Sequence, residues 1–303
     1  MPPILKKATT TILLKEKTEG FDVYLLKRHE KSSFMAGNFV YPGGGVDRED
    51  SGPEVYGCCK GISPEEAHRV LGGSAPPQED LSCWVAGIRE LFEEAGVLLA
   101  YDRKGDLLSS QNPAHRELIA RYRSPVQDGK VTMLQMAQDE KLFFAVDQLD
   151  YYAHWITPEA YPQRFDTRFF LARHPVGQEA SHDAKEMTMG IWLSPQEALE
   201  RNSKGEIILS PPTLKTLEDL SCFASLDGLF QSLVGKEIQP TLPVYKKMPE
   251  QTFIVYPWDP DYPIFQRGDI PVSLDHGRPS RPGDRSTRIL FREGRWHLYC
   301  RSN

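Results

Sequence analysis

The chain has 303 residues, 40% of them hydrophobic and 26% charged, with a net charge of −6. That length can bury a full core, as one large domain or a domain with an extension, and the acidic balance excludes a basic footprint for general nucleic-acid binding. No apolar run approaches the ~20 residues that span a bilayer, and the first eleven residues hold two lysines without the long apolar stretch of a secretory signal.

In chain order, Ala8 to Leu14 and Phe21 to Arg28 are β-rich runs separated by a polar, glycine-containing turn, and they predict an opening hairpin. Phe39 to Tyr41 predicts a short strand leading into Gly43-Gly44-Gly45. Residues 48–78 are rich in Gly, Pro and Ser, with one short helix predicted at Pro64 to Leu71 behind a Ser63 cap. The strongest helical pattern runs from Gln78 to Ala100, where Trp84, Val85, Ile88, Leu91, Phe92 and Ala95 recur at helical spacing. Pro113 to Tyr122 and Leu134 to Leu149 predict two more helices, which makes 105–150 a helical insert. Strands are predicted at Trp155-Ile156, Thr167 to Ala172 and Met187 to Trp192, and helices at Pro195 to Asn202, Pro212 to Leu220 and Leu226 to Val234. Beyond residue 236 proline is dense, and Thr287 to Cys300 alternates around Glu293-Gly294 like a terminal hairpin. This tail reads as a small appended lobe or as a strap over the main domain.

The most informative stretch is Arg89-Glu90-Leu91-Phe92-Glu93-Glu94-Ala95-Gly96-Val97. Glu90, Glu93 and Glu94 stand at i, i+3 and i+4, within one narrow stripe of a helix. Like charges so placed repel by a few tenths of a kcal/mol for each i,i+4 pair, and anionic oxygens concentrated this way suit a hard divalent cation. Gly96 offers a helix stop. Upstream lies Tyr41-Pro42-Gly43-Gly44-Gly45-Val46-Asp47. Together the two pieces resemble the Nudix box, G-x5-E-x7-R-E-U-x-E-E-x-G-U with U aliphatic. The second half matches in full and the first half through Pro42-Gly43-Gly44. An uninterrupted box from Gly44 would place its arginine at 58, whereas it stands at 89, so 31 residues are inserted. The box glutamate is Asp50 by position, with Glu79 or Asp80 as alternatives.

Such an insertion resembles a Nudix subfamily that includes the peroxisomal coenzyme A and acyl-CoA diphosphatases. Further segments are similar to it in the same order: Phe34-Met35-Ala36-Gly37, Trp155-Ile156-Thr157-Pro158, Arg164 to Phe170, Trp192-Leu193-Ser194-Pro195, Ser210-Pro211-Pro212-Thr213 and Phe223-Ala224-Ser225-Leu226. The resemblance runs from about residue 8 to about 235. It implies an α/β fold, a Nudix-type α/β/α sandwich with a mixed sheet, over residues 1–235, followed by an extension over 236–303. It also implies Mg²⁺- or Mn²⁺-dependent hydrolysis of a diphosphate bond in coenzyme A or an acyl-CoA, giving 3′,5′-ADP and (acyl-)4′-phosphopantetheine. Glu90, Glu93, Glu94 and the Gly43 carbonyl would then hold metal, and Arg89 would orient the glutamates.

For the general base the reading favours Glu186 over Glu179 and Asp183, because it directly precedes the Met187 strand; Glu90 is the alternative. Activity is expected to be better at mildly alkaline pH. Arg28, Arg164 and Arg168 could clamp phosphate or equally form the solvent-facing half of a sheet. Phe165, Phe169, Phe170 and Trp192 read mainly as core. The insertion and the tail are both expected to wall the substrate cleft.

Rival readings remain open. The same chemistry would serve ADP-sugars, dinucleotides, nucleoside triphosphates or capped RNA, although the acidic charge disfavours long RNA. A non-catalytic, ligand-binding Nudix domain usually lacks box glutamates, whereas the three helical ones are all kept here. Cys58, Cys59, His68 and Cys83 could ligate zinc, but no Cys-x-x-Cys pair supports it. Gly43-Gly44-Gly45 is not followed by the Gly-Lys-Ser/Thr of a phosphate loop. The oligomeric state is open, a homodimer being possible. The final Arg301-Ser302-Asn303 is not a Ser-Lys-Leu peroxisomal address, which leaves the cytoplasm as the expected location.

Overall fold

The run Thr9-Thr10-Thr11-Ile12-Leu13-Leu14 is β-branched or aliphatic throughout, which suits a strand buried on both faces. It forms the middle of the longest strand, β1 (Leu5–Glu16). A computed structural model describes residues 4–32, 35–72, 76–183, 185–271 and 275–301. Phe34 and the terminal Ser302-Asn303 lie outside the described residues.

After β1 come β2 (Phe21–Arg28), β3 (Phe39–Val40) and β4 (Gly43–Gly45). The insertion holds α1 (Pro53–Gly57), β5 (Cys59–Lys60), α2 (Pro64–Leu71) and α3 (Pro77–Asp80), and it ends at α4 (Ser82–Ala95). Then follow β6 (Ala100–Tyr101), α5 (Pro113–Gln127), α6 (Met133–Glu140), β7 (Phe143–Ala145), β8 (Asp150–Ile156), β9 (Arg164–Arg173) and β10 (Met187–Leu193). The helices α7 (Pro195–Lys204), α8 (Pro211–Leu220) and α9 (Leu226–Gln231) lead to β11 (Pro240–Thr241). The tail contains β12 (Val244–Lys247), β13 (Thr252–Val255), α10 (Tyr262–Gln266), β14 (Arg278–Pro279), β15 (Arg288–Arg292) and β16 (Arg295–Cys300).

The main sheet is mixed, in the order β10-β2-β1-β9-β8-β11, with β3 paired to β2 and β4 to β1. β1 runs parallel to β9 over ten pairs, from Leu5↔Arg164 to Leu14↔Arg173, and antiparallel to β2 and β4. One face carries Leu13, Phe170 and Ala172 against the buried side of α4, where Trp84, Ile88, Leu91 and Phe92 lie. The other carries Ile12, Leu14, Phe169 and Leu171 against α8, α9 and the tail. Helices thus cover both faces, as an α/β/α sandwich requires.

Three predicted helices are shorter than expected, α9 by the three residues after Gln231 and two others by more. α4 stops at Gly96, whose φ is 69°, and Val97, Leu98 and Leu99 continue as buried chain outside helix and strand. Likewise α6 ends at Glu140, with Lys141 at φ 56°. The expected helix from 134 to 149 therefore gives way to β7 and a 3-10 turn at Val146–Gln148. A short apolar run such as Leu142 to Val146 fits strand or helix by periodicity alone. Here distant partners decide, since Phe144 N–H donates to the Cys58 carbonyl (2.7 Å) and Ala145 N–H to that of Leu99 (3.0 Å). The insertion is thereby stitched to the far side of α4, and its Val55, Ala67 and Leu71 join that core.

The tail is an antiparallel sheet, β12-β13-β15-β16-β14, rather than a strap. β13 alternates: Phe253 and Val255 pack within the lobe against Phe265, whereas Ile254 and then Tyr256 join the core under the main sheet.

Candidate active site

The Gly43-Gly44-Gly45 strand lies directly over the acidic stripe of α4. A side chain at Gly44 would place its Cβ 2.4 Å from Glu90 Oε1, and one at Gly43 would place it 2.4 Å from the Thr9 carbonyl oxygen of β1. Only glycine lets the strand sit between the sheet and the carboxylates. Gly43 N–H donates to Glu94 Oε2 at 2.9 Å.

Arg89 organises the rest. Its Nε and Nη2 donate to the two oxygens of Asp50 at 2.8 and 2.9 Å, a bidentate fork. Nη2 also donates to the Gly45 carbonyl (2.8 Å), and Nη1 to Glu90 Oε1 (2.8 Å) and Glu93 Oε2 (3.3 Å). One guanidinium thus ties the glycine strand, the start of the insertion and two helical carboxylates together. Of the three candidates for the displaced box glutamate, Asp50 is the one that meets Arg89; it is buried and folds back on its own turn by accepting from Asp47 N–H (2.7 Å). The alternatives are engaged elsewhere, Asp80 with His68 Nδ1 (2.8 Å) and Glu79 with Lys7 (3.2 Å).

These carboxylates are electrostatically expensive. Burial, against the opposing charge of Arg89, pushes Glu90 up to about 7. Burial and the neighbouring Glu90 hold Glu94 well above the ordinary carboxylate range, and burial raises Glu93. Burial alone would lower the pKa of Arg89, but the hydrogen bond to Asp50 and the charges of Glu90, Asp50 and Glu93 raise it. Buried like-charged carboxylates of this kind are what a bound divalent cation relieves. Glu90, Glu93 and Glu94 therefore fit a hard cation in type and setting, with Gly43 beside them. Among the described residues no three or more His, Cys, Asp or Glu side chains are closed around a metal-sized space. Glu90 and Glu93 are turned towards Arg89 instead.

Gly43, Gly44, Gly45, Arg89, Glu90, Glu93 and Glu94 open onto one cavity of about 530 Å³. Glu186 and Arg28 line it as well, and Arg28 Nε is buried without a hydrogen-bond partner. Of the other base candidates, Glu179 does not line it, and Asp183 is committed to its own loop, accepting from Glu186 N–H (3.2 Å) and Met187 N–H (2.9 Å).

Arg164 and Arg168 are not brought to the cavity. On β9, Phe165, Thr167 and Phe169 face it, so the even-numbered residues point to the α4 side. There Arg164 donates to the Thr157 carbonyl (3.1 Å) and Arg168 pairs with Asp166, which also binds His154. Neither is solvent-facing; both are buried.

The expected walls are also corrected. None of the described residues of the insertion from 48 to 78 lines the cavity, whereas Pro243, Ile254 and Tyr256 of the tail do. The hydrophobic wall formed by Tyr41, Trp155, Phe165 and Phe169 was not foreseen as such, although all four sit in segments already singled out by resemblance.

A family model described as the NUDT19 Nudix domain matches residues 4–220. The chain belongs to this family. It is a Nudix hydrolase, an enzyme. It is 28% identical over 276 residues to the acyl-coenzyme A diphosphatase NUDT19 of Xenopus laevis, covering 81% of this chain and 72% of that protein. Against the protein of the same name from Gallus gallus it is 28% identical over 289 residues, with 80% and 74% covered. The crystal structure of a Nudix hydrolase from Alicyclobacillus acidocaldarius superposes with a TM-score of 0.59 at 22% identity, covering 77% of this chain and 98% of that one; this likeness concerns the fold. The expectation of a cytoplasmic location is withdrawn. The relatives are described by their reaction and not by a compartment, and although no helix among the described residues is long and apolar enough to cross a membrane, that assigns no compartment to this Nudix hydrolase.

Proposed function

We propose that this Nudix hydrolase cleaves the diphosphate bond of coenzyme A or acyl-CoA, releasing 3′,5′-ADP and (acyl-)4′-phosphopantetheine. The observation that carries the reaction type is the juxtaposition of Glu90 and Glu94 with Gly43 and Gly44, where two carboxyl groups face a glycine strand at a cavity. The substrate class is supported by the acyl-coenzyme A diphosphatase activity for which the relatives are named.

Glu90, Glu93, Glu94 and the Gly43 carbonyl would hold the divalent ion, Mg²⁺ or Mn²⁺. When bound, such an ion neutralises diphosphate charge and orients its oxygens. Arg89, anchored by Asp50, fixes the rotamers of Glu90 and Glu93. Arg28 takes a phosphate oxygen with its unpartnered edge. Glu186 accepts the proton of the attacking water at its carboxylate. On this reading the catalytic unit spans residues 1–235 and the segment 236–303 is an extension of it.

Mass spectrometry of products from coenzyme A, acetyl-CoA, a long-chain acyl-CoA, ADP-ribose, NADH and a nucleoside triphosphate tests the substrate. Fastest release of 3′,5′-ADP from the CoA compounds is expected. Dominant AMP from ADP-ribose or NADH would keep the reaction type and overturn the substrate.

A further inference from the structure

The lining of the cavity falls into two chemically distinct sets of residues. Among the described lining residues the charged ones are Asp47 beside the glycine strand, Arg89, Glu90, Glu93 and Glu94 of α4, and Arg28 at the end of β2 and Glu186 before β10, both close enough to Glu94 for their charges to act on it. The remainder of the lining carries no charge. It is made by Trp155 and Phe169 of the main sheet, by Pro211 at the start of α8, and by Ile254 and Tyr256 of the C-terminal lobe.

The lobe is firmly seated there. β11 adds Pro240 and Thr241 to the sheet edge beside His154 and Trp155 just before the lobe begins. On the other side, Glu218 of α8 accepts from Ser286 Oγ (2.6 Å), Ser286 N–H (3.2 Å) and Ser280 Oγ (2.8 Å), and from the buried Lys215 (2.8 Å). Ile254 is 3% exposed and Tyr256 1%. The Tyr256 ring lies 5.9 Å from that of Trp155.

We propose that the lobe is the specificity wall of this enzyme, and that Ile254 and Tyr256, with Trp155 and Phe169, receive the acyl-bearing arm of the substrate. This rests on the acyl-CoA reading above. Charge decides which arm enters. A diphosphate at the glutamates has a nucleotide arm carrying a further phosphate and an uncharged acyl-pantetheine arm. Moving a phosphate into a compartment with no cationic side chain costs several kcal/mol or more, whereas an acyl chain gains about 0.8 kcal/mol for each buried CH₂. The uncharged arm therefore goes under the lobe, and the nucleotide arm stays towards Arg28 and solvent.

The test is the ratio of kcat/KM for a long-chain acyl-CoA to that for free coenzyme A, in the full-length wild type, Ile254→Trp and Ile254→Ala. One methylene of fit is worth about 10–200-fold in an apolar pocket. Ile254→Trp should thus lower the ratio at least about tenfold, and Ile254→Ala should shift the preferred chain length upwards. Tyr161→Ala, in the β8–β9 loop of the same cavity, carries the test if thermal unfolding shows that the tryptophan is not accommodated; it should change the ratio while the fold is kept. A ratio that stays constant across the variants overturns the proposal, as does an equal loss on both substrates in a folded variant, which would put the nucleotide arm under the lobe. A wild type that cleaves ADP-ribose but no CoA compound refutes the substrate reading itself, an outcome distinct from either.

Discussion

Gly44→Ala separates the account's two uses of glycine. The new Cβ would lie 2.4 Å from Glu90 Oε1, 2.7 Å from its Cδ and 2.9 Å from Oε2, while ordinary contact begins at 3.4 Å. Gly44 is outside the positive-φ region, so alanine is allowed by its backbone. The obstacle is the far end of a flexible side chain, and the carboxylate must withdraw by about 1 Å, a displacement that costs roughly 100-fold in rate when a reacting group is misplaced. Fold stability should change little, by under ~1 kcal/mol, or within about 4 °C in Tm for a chain of this size. Gly43→Ala meets a different obstacle, the Thr9 carbonyl oxygen at 2.4 Å and Thr10 Cα at 2.8 Å, both backbone of the central strand. That overpacking costs about 1–3 kcal/mol or more, seen as a Tm drop of several degrees. Steady-state kinetics and calorimetry on the two variants read both quantities. Full turnover by Gly44→Ala, or a stability loss equal to that of Gly43→Ala, would refute the reasoning.

Asp50→Asn leaves the Arg89 guanidinium without its bidentate partner; breaking a buried pair costs about 3–5 kcal/mol, so Tm should fall by roughly 10 °C, and kcat should drop as Glu90 and Glu93 lose their fixed rotamers. A variant matching wild type in Tm would show that the fork is dispensable. Proton linkage gives a prediction about cations. Burial pushes Glu90 up to about 7 and, with the neighbouring Glu90, holds Glu94 well above the ordinary carboxylate range, against ~4.3 in an unfolded chain. These groups bind protons in the folded state that the unfolded state has released, so their contribution to stability is present below pH ~4 and lost as pH rises through 7. The Tm increase produced by Mg²⁺ should therefore be larger at about pH 8 than at about pH 6; equal increases would contradict this.

Much of the site was legible because helical periodicity is local. Arg89 to Val97 alone places three carboxylates on one stripe, and Ser63 alone predicts the cap of α2; there the structure adds a partner, with Glu66 N–H donating to Ser63 Oγ at 3.2 Å and Ser63 N–H to Glu66 Oε2 at 2.9 Å. Choosing Asp50 over Glu79 and Asp80 needed tertiary structure, since the choice depends on which carboxylate the insertion folds against Arg89. The position of Arg164 and Arg168 was readable in principle. Strand alternation puts them opposite Phe165 and Phe169, so one assignment of a face fixes the other. The lobe strands were obscured by short length and dense proline. Thr252 to Val255 is only four residues long and is recognisable mainly through its pairing with Arg288 to Phe291. The cavity's aromatic wall was assigned to the core because burial and lining draw on the same residue types.

The central claim is that the acidic stripe beneath the glycine strand performs the hydrolysis. The most direct measurement is release of 3′,5′-ADP from an acyl-CoA by wild type, Glu90→Gln and Glu94→Gln, with Mg²⁺ or Mn²⁺ and after chelation, alongside the Tm of each protein. The account predicts turnover by the wild type only with a divalent cation, and losses of orders of magnitude in both variants while they stay folded. Undiminished turnover in both variants, or full activity after chelation, would contradict it.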